Sequence, residues 1–130
     1  MTAAPKRYLV DTDVIIDAFR KIDGAGPYLN SLGEWSYSTA TAMELFFGAR
    51  SKKEIRAIEK SLAQYSRVPI SHEVGELALD IVKKYAKSDG TGELDALIAA
   101  TAISGSFRLA SKNRKHFRNI EGLDIEVQEY

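Results

Sequence analysis

Short strand-like runs alternate along this chain with longer segments whose apolar residues recur at helical spacing, and no other feature restricts its fold as much. Tyr8-Leu9-Val10 and residues 34–38, 67–70, 107–110 and 125–127 read as strands. Residues 14–20, 28–32, 39–49, 52–64 and 94–103 read as helices, as does the stretch from Ser71 to the turn-rich loop 87–92. The connections are long enough for crossovers between parallel strands. The pattern therefore predicts an α/β fold, an α/β/α sandwich around a mainly parallel central sheet.

Composition narrows the class further. Hydrophobic residues make up 45% and charged residues 28% of the 130 positions, proportions that exclude a disordered chain or a fibrous repeat. One core suffices at this length, so a single domain over residues 1–130 is expected. There is no cysteine, which removes disulfides, thiolate metal sites and a cysteine nucleophile together. The apolar segment after Met1 to Arg7 is cut by Asp11 and Asp13, too early for a secretory leader or a membrane span. A cytoplasmic protein is expected.

Lys plus Arg equals Asp plus Glu, so bulk charge does not point to a nucleic-acid partner. Local clusters do: Lys112, Arg114, Lys115 and Arg118 form one basic segment, and Arg50, Lys52 and Lys53 another. Either is explained equally well as a solvated face.

Ligand sites of open α/β sheets gather beyond the carboxyl ends of the strands. Asp11 ends the first strand, Glu44 lies one turn into the helix after the second, Asp95 opens the apolar helix 94–103, and Asn113 follows the strand 107–110. Each has a structural explanation too. Thr41 to Glu44 fits a capping box, Asp95 suits a helix N-terminus, and Asn113 fits another cap. Taken singly, capping accounts for Glu44 and Asn113. Asp11 resists it, because Asp13 is expected to cap the first helix and a carboxylate ending a buried strand needs a partner. Clustered carboxylates raise one another's pKa values, a divalent cation reverses this, and oxygen donors suit Mg2+ or Mn2+.

Four stretches resemble the ordered motifs of PIN domains. Tyr8 to Asp17 is similar to the opening strand motif, Ser38 to Ala49 to the motif bearing the family's glutamate, Leu94 to Ala102 to the third, and Leu109 to Phe117 to the fourth. The compact size and the segment 117–127 resemble VapC toxins, ribonucleases inhibited by a small VapB antitoxin. The resemblance implies a metal-dependent endoribonuclease in which Asp11, Glu44 and Asp95 hold the metal. It also implies that Asn113 completes the catalytic pocket; Lys112, Arg114, Lys115 and Arg118 flank that pocket in sequence and are the residues expected to hold the RNA backbone. The resemblance further implies an antitoxin partner and a homodimer. The fourth motif carries Asn113 and His116 where some relatives have an acid, which puts a second metal position in question. His116 reads as a surface residue. An antitoxin is expected on the pair of helices 39–49 and 52–64, through Phe46, Phe47, Ile55 and Ile58.

Two other readings rest on Asp11-Thr12-Asp13. A haloacid-dehalogenase-like phosphatase would use Asp11 as nucleophile but wants a threonine where Ile15 stands. A non-catalytic binding module, receiver-like or PIN-like, is the alternative from a different class; a receiver would need an aspartate where residues 67–70 lead to Ser71.

Overall fold

A computed structural model describes residues 7–130. The reading of the first six residues therefore lies outside the described part. Five strands, β1 (Tyr8–Val10), β2 (Trp35–Ser38), β3 (Ser66–Val68), β4 (Arg108–Ser111) and β5 (Ile125–Val127), form one sheet in the order β3-β2-β1-β4-β5. Every pairing is parallel. Leu9 lies opposite Leu109, and Val10 opposite Ala110.

Alternation along the strands sends their side chains to two cores. Leu9 and Leu109 face a layer built by α5 (His72–Asp89) and α6 (Glu93–Ser104). Val10 and Ala110 face α1 (Thr12–Phe19), α2 (Ala25–Ser31) and α4 (Lys52–Leu62). α3 (Thr39–Phe47) serves both layers, with Ala40 in the first core and Ala42 and Leu45 in the second. The central strands are thus covered on both faces, as is usual for parallel sheets, while edge strand β3 leaves Ser66 and Arg67 exposed.

Local chemistry explains the element boundaries. Ser51 and Ser71 accept hydrogen bonds from the backbone N–H groups of Glu54 and Val74, and so cap α4 and α5. α6 is apolar around its circumference, and its Ala96, Ala99, Ala100 and Ala102 are completely buried against its neighbours. Full burial of Leu9, Ile98 and Leu109 contributes roughly 1.5–3 kcal/mol each.

Several boundaries differ from expectation: α2 starts at Ala25, before the expected Tyr28, and β3 spans Ser66–Val68 where 67–70 was expected. α5 continues through Lys87, Ser88 and Asp89, where a loop was expected, because none of these residues breaks a helix; it ends at Gly90, whose φ of 71° makes it the left-handed stop. The first helix begins at Thr12, and its cap is Asp11, not Asp13. Asp11 has the extended backbone of a cap and accepts from the Thr12 N–H.

Candidate active site

Strand order reverses beside β1, since the chain moves from β1 to β2 on one side and returns to β4 on the other. Such a switch point opens a crevice at the carboxyl ends of the flanking strands. Asp11 directly follows β1, and its backbone N–H donates to the Ala110 carbonyl of β4 at 2.9 Å. Ser111, the last residue of β4, donates its hydroxyl to Asp11 Oδ2 at 2.9 Å. Oδ1 of Asp11 accepts from the Thr12 N–H at 2.8 Å. Both carboxylate oxygens are therefore oriented before any ligand arrives.

Glu44 is brought in by α3. Thr12 Oγ1 donates to Glu44 Oε1 at 2.8 Å, and the Thr12 and Thr41 hydroxyl oxygens are 3.0 Å apart. Thr12 has one proton, so giving it to Glu44 leaves Thr41 to donate to Thr12. The capping box expected at Thr41 to Glu44 does not form, because α3 starts at Thr39 and is capped by Ser38. Asp95 stands in the first turn of α6. His116 Nδ1 is 3.6 Å from Asp95 Oδ2, and its Nε2 is 3.3 Å from Asn113 Nδ2. With Asn113 donating, the ring carries its proton on Nδ1, facing Asp95.

Asp11, Thr12, Asp13, Glu44, Glu93, Asp95 and His116 line one open pocket of about 220 Å³. No Lys or Arg is among the residues lining it. Burial, together with the charges of Asp13 and Asp95, outweighs the Ser111 and Thr12 hydrogen bonds and pushes the Asp11 carboxyl up to about 7. Burial also raises the Asp95 carboxyl; His116 opposes that rise, and Glu44 and Asp13 add to it. The pocket thus holds more negative charge than its own residues neutralise, and a cation would relieve it. Among the described residues no three carboxylate, imidazole or thiolate groups stand close enough to hold an ion unaided.

Of the residues named from the sequence, Asp11, Glu44 and Asp95 line this pocket. Asn113 is not in its wall and reaches it through His116. Arg114, Lys115 and Arg118 are exposed on and beside a short 3-10 turn (Arg114–Phe117), whereas the Lys112 ammonium is bonded to Asp17 at 2.6 Å. Asp13 and Glu93, expected to be capping or solvated residues, also line the pocket, and two further residues escaped the sequence reading. Ser111 carried no signal beyond its place at a strand end, and His116, read as a surface residue, lines the pocket; its spacing of three from Asn113 was the available clue.

A larger cleft of about 450 Å³ adjoins the pocket and shares Glu44 with it. α1, α3 and α4 line it with Ile16, Phe19, Arg20, Leu45, Glu54 and Ile58. Phe47, expected to line a partner groove, is 93% exposed and stands outside this cleft, while Ile58 is buried at its floor. The turn from Phe46 to Phe47 on a helix of 3.6 residues per turn separates the two rings by about 100°.

The fold and pocket define a parallel α/β protein with an acidic pocket at its switch point. The model of the PIN domain family matches residues 8–123, and the chain belongs to that family. It is 34% identical over 119 residues to Ribonuclease VapC10 of Mycobacterium tuberculosis, covering 88% of this chain and 89% of the relative. To Ribonuclease VapC1 of Methanocaldococcus jannaschii it is 30% identical over 125 residues, covering 93% and 86%. Among solved structures it resembles a chain of a toxin–antitoxin complex from Klebsiella pneumoniae, with a TM-score of 0.77, 26% identity and coverage of 89% and 94%. It shares its fold with a chain of VapBC2 from Rickettsia felis, with a TM-score of 0.80, 21% identity and coverage of 94% and 98%.

Proposed function

We propose that this protein is a divalent-metal-dependent endoribonuclease, the toxin of a toxin–antitoxin pair. The observation that carries the reading is the convergence of Asp11, Glu44 and Asp95 from three separate elements on one pocket lacking a lysine or arginine, in a chain whose relatives are ribonucleases. Asp11, Glu44 and Asp95 would hold Mg2+ or Mn2+, directly or through water. When bound, such an ion lowers the pKa of water and offsets charge developing on a phosphodiester.

The chain's own residues supply the positioning. Ser111 and Thr12 fix the two oxygens of Asp11, and Thr12 also fixes Glu44. His116 keeps a proton directed at Asp95, and Asn113 holds the ring in that tautomer. Water adds across a phosphorus–oxygen bond of RNA, one fragment leaving with the hydroxyl and the other retaining the phosphate. Arg114, Lys115 and Arg118 lie beside His116 in sequence and offer cations to the flanking phosphates.

Two protein partners complete the reading. The cleft beside Glu44 is the proposed seat of an antitoxin segment, with apolar side chains on Ile16, Phe19 and Leu45 and a basic side chain reaching Glu44. A second copy of the chain is proposed as the other partner, and Met43 and Phe47, one turn apart on α3 and both exposed, are the apolar surface offered for it. Among the described residues no helix is long and apolar enough to cross a membrane; a cytoplasmic location and a single domain are proposed with this reading.

The test is cleavage of RNA by Asp11→Asn, Glu44→Gln and Asp95→Asn in Mg2+ or Mn2+. Each should lose at least about a hundredfold in rate while keeping its circular dichroism spectrum. Retained cleavage in any two would remove the pocket as the catalytic site, and RNA binding without metal-dependent cleavage by the unaltered chain would leave a binding module.

A further inference from the structure

Lys112 follows Ser111, which bonds Asp11, yet its ammonium points to α1. It donates to Asp17 Oδ2 at 2.6 Å, and the Tyr130 hydroxyl donates to the same oxygen. The Asp17 side chain is 10% exposed and that of Lys112 41%, so the acceptor is built into the fold while the ammonium lies at its edge. Tyr130 is placed by Gly24, whose φ is 87° and where a Cβ would come within 2.8 Å of Tyr130 Cβ, and by the Tyr28 ring at 5.9 Å. Burial works against the Asp17 carboxylate, but the Lys112 and Tyr130 hydrogen bonds and the charges of Lys112 and Arg20 hold its pKa below the ordinary range. Asp17 is therefore ionised at neutral pH.

Asp17 lies four residues after Asp13 on α1, and Asp13 lines the acidic pocket. Residues so spaced share a helix face, one turn apart, about 5–6 Å along the axis. A lysine carries its charge on a flexible four-carbon stem. Released from Asp17, the ammonium has Asp13 as its next carboxylate on that face, and there it would occupy charge that a metal ion needs.

We propose that Asp17 is a positioning residue for the acidic pocket: with Tyr130 it holds the Lys112 ammonium one helical turn away from Asp13 and so prevents an internal cation from competing with the divalent ion. The inference rests on the reading of that pocket as a cation site. It gives Asp17 and Lys112 opposite effects on metal affinity. A pair that serves folding alone would give them the same effect.

Mn2+ binding to the full chain, followed by titration calorimetry and by the electron paramagnetic resonance of free Mn2+, separates these outcomes. Asp17→Asn should weaken binding roughly fivefold to tenfold, the scale expected for moving one charge by a helical turn at a partly solvated surface. Lys112→Met should bind at least as tightly as the unaltered chain, and Asp17→Asn combined with Lys112→Met should bind like Lys112→Met alone. Asp17→Asn equal to the unaltered chain, or a double variant as weak as Asp17→Asn, would overturn the proposal and leave the metal site standing. Mn2+ binding absent from the unaltered chain, or unchanged by Asp11→Asn, would overturn the site itself. If circular dichroism shows Asp17→Asn to be unfolded, Asp17→Ser, whose smaller side chain leaves room for water, replaces it in the same comparison.

Discussion

Ser111 donates its hydroxyl to Asp11 Oδ2 at 2.9 Å, joining the ends of two adjacent parallel strands whose residues lie 100 positions apart in sequence. The same Ser111 oxygen accepts the Asn113 N–H at 3.0 Å, so one side chain sets both the acid and the loop that carries His116. Removing it should be felt in the pH dependence of the reaction. In Ser111→Ala the Asp11 carboxylate loses a donor that favours its charged form, and its pKa rises further above about 7. The acid limb of the cleavage profile at subsaturating metal should move to higher pH, with a rate loss of about tenfold near neutrality. A rate loss with an unmoved limb would mean that Ser111 acts on the loop and not on Asp11.

The metal-free protein should lose stability as pH rises through the acidic range. The folded-state pKa of Asp11, about 7, lies above the ordinary value of 3.8, mainly because of burial. Folding therefore favours the protonated acid, and this contribution is complete below the ordinary value and lost by the time pH passes the folded one. Its size is at most about 4 kcal/mol. Thermal melts in chelator from about pH 4 to about pH 8 should show the decline, with Asp11→Asn flattening it and Mg2+ or Mn2+ reversing it at the upper end. Parallel curves for Asp11→Asn and the unaltered chain would exclude Asp11 as the source.

Exposed cations and a committed one should behave differently toward RNA. Arg114→Ala, Lys115→Ala and Arg118→Ala should each flatten the salt dependence of single-stranded RNA binding by roughly 0.7 for every phosphate that is no longer neutralised. Lys112→Ala should change it less, because that ammonium is engaged by Asp17. Binding isotherms at several salt concentrations decide the matter, and unaltered slopes for the three exposed residues would leave them a solvated face.

An antitoxin seated in the cleft of α1, α3 and α4 should be displaced by charge at its apolar wall. Phe19 is 41% exposed and lines the cleft, so Phe19→Asp should weaken antitoxin co-purification by at least about tenfold. Phe47→Asp, outside the cleft, should leave it unchanged and disturb self-association instead, as read by sedimentation. The reverse pattern would place the antitoxin on the face of Phe47.

The strands and helices were largely legible because each rests on local chemistry. Ser51 and Ser71 cap the helices they precede, and Leu9 and Val10 alternate between two cores. Asp11 was legible by its position at a strand end, whereas Glu44, one turn into its helix, and Asp95 were singled out through resemblance to PIN motifs. Their partners were not legible. Asp13 was expected to cap the first helix, but only the approach of β4 shows that Asp11 can cap it and still present an oxygen to Ser111. Lys112 looked like one more cation of a basic segment until folding placed it beside Asp17, 95 residues earlier.

By itself, then, the sequence determined the class of fold and most of the strand and helix periods, since periodicity and capping act over one or two turns, and its resemblance to PIN motifs singled out the carboxylates. Tertiary structure decided which charges meet. Packing across the sheet placed Asp11, Glu44 and Asp95 in one pocket, brought His116 to its wall and drew Lys112 away to Asp17. The physical reason is range: a hydrogen bond or ion pair between residues far apart in sequence depends on the fold's three-dimensional register, and the low dielectric that raises the Asp11 pKa exists only once the layers close over it.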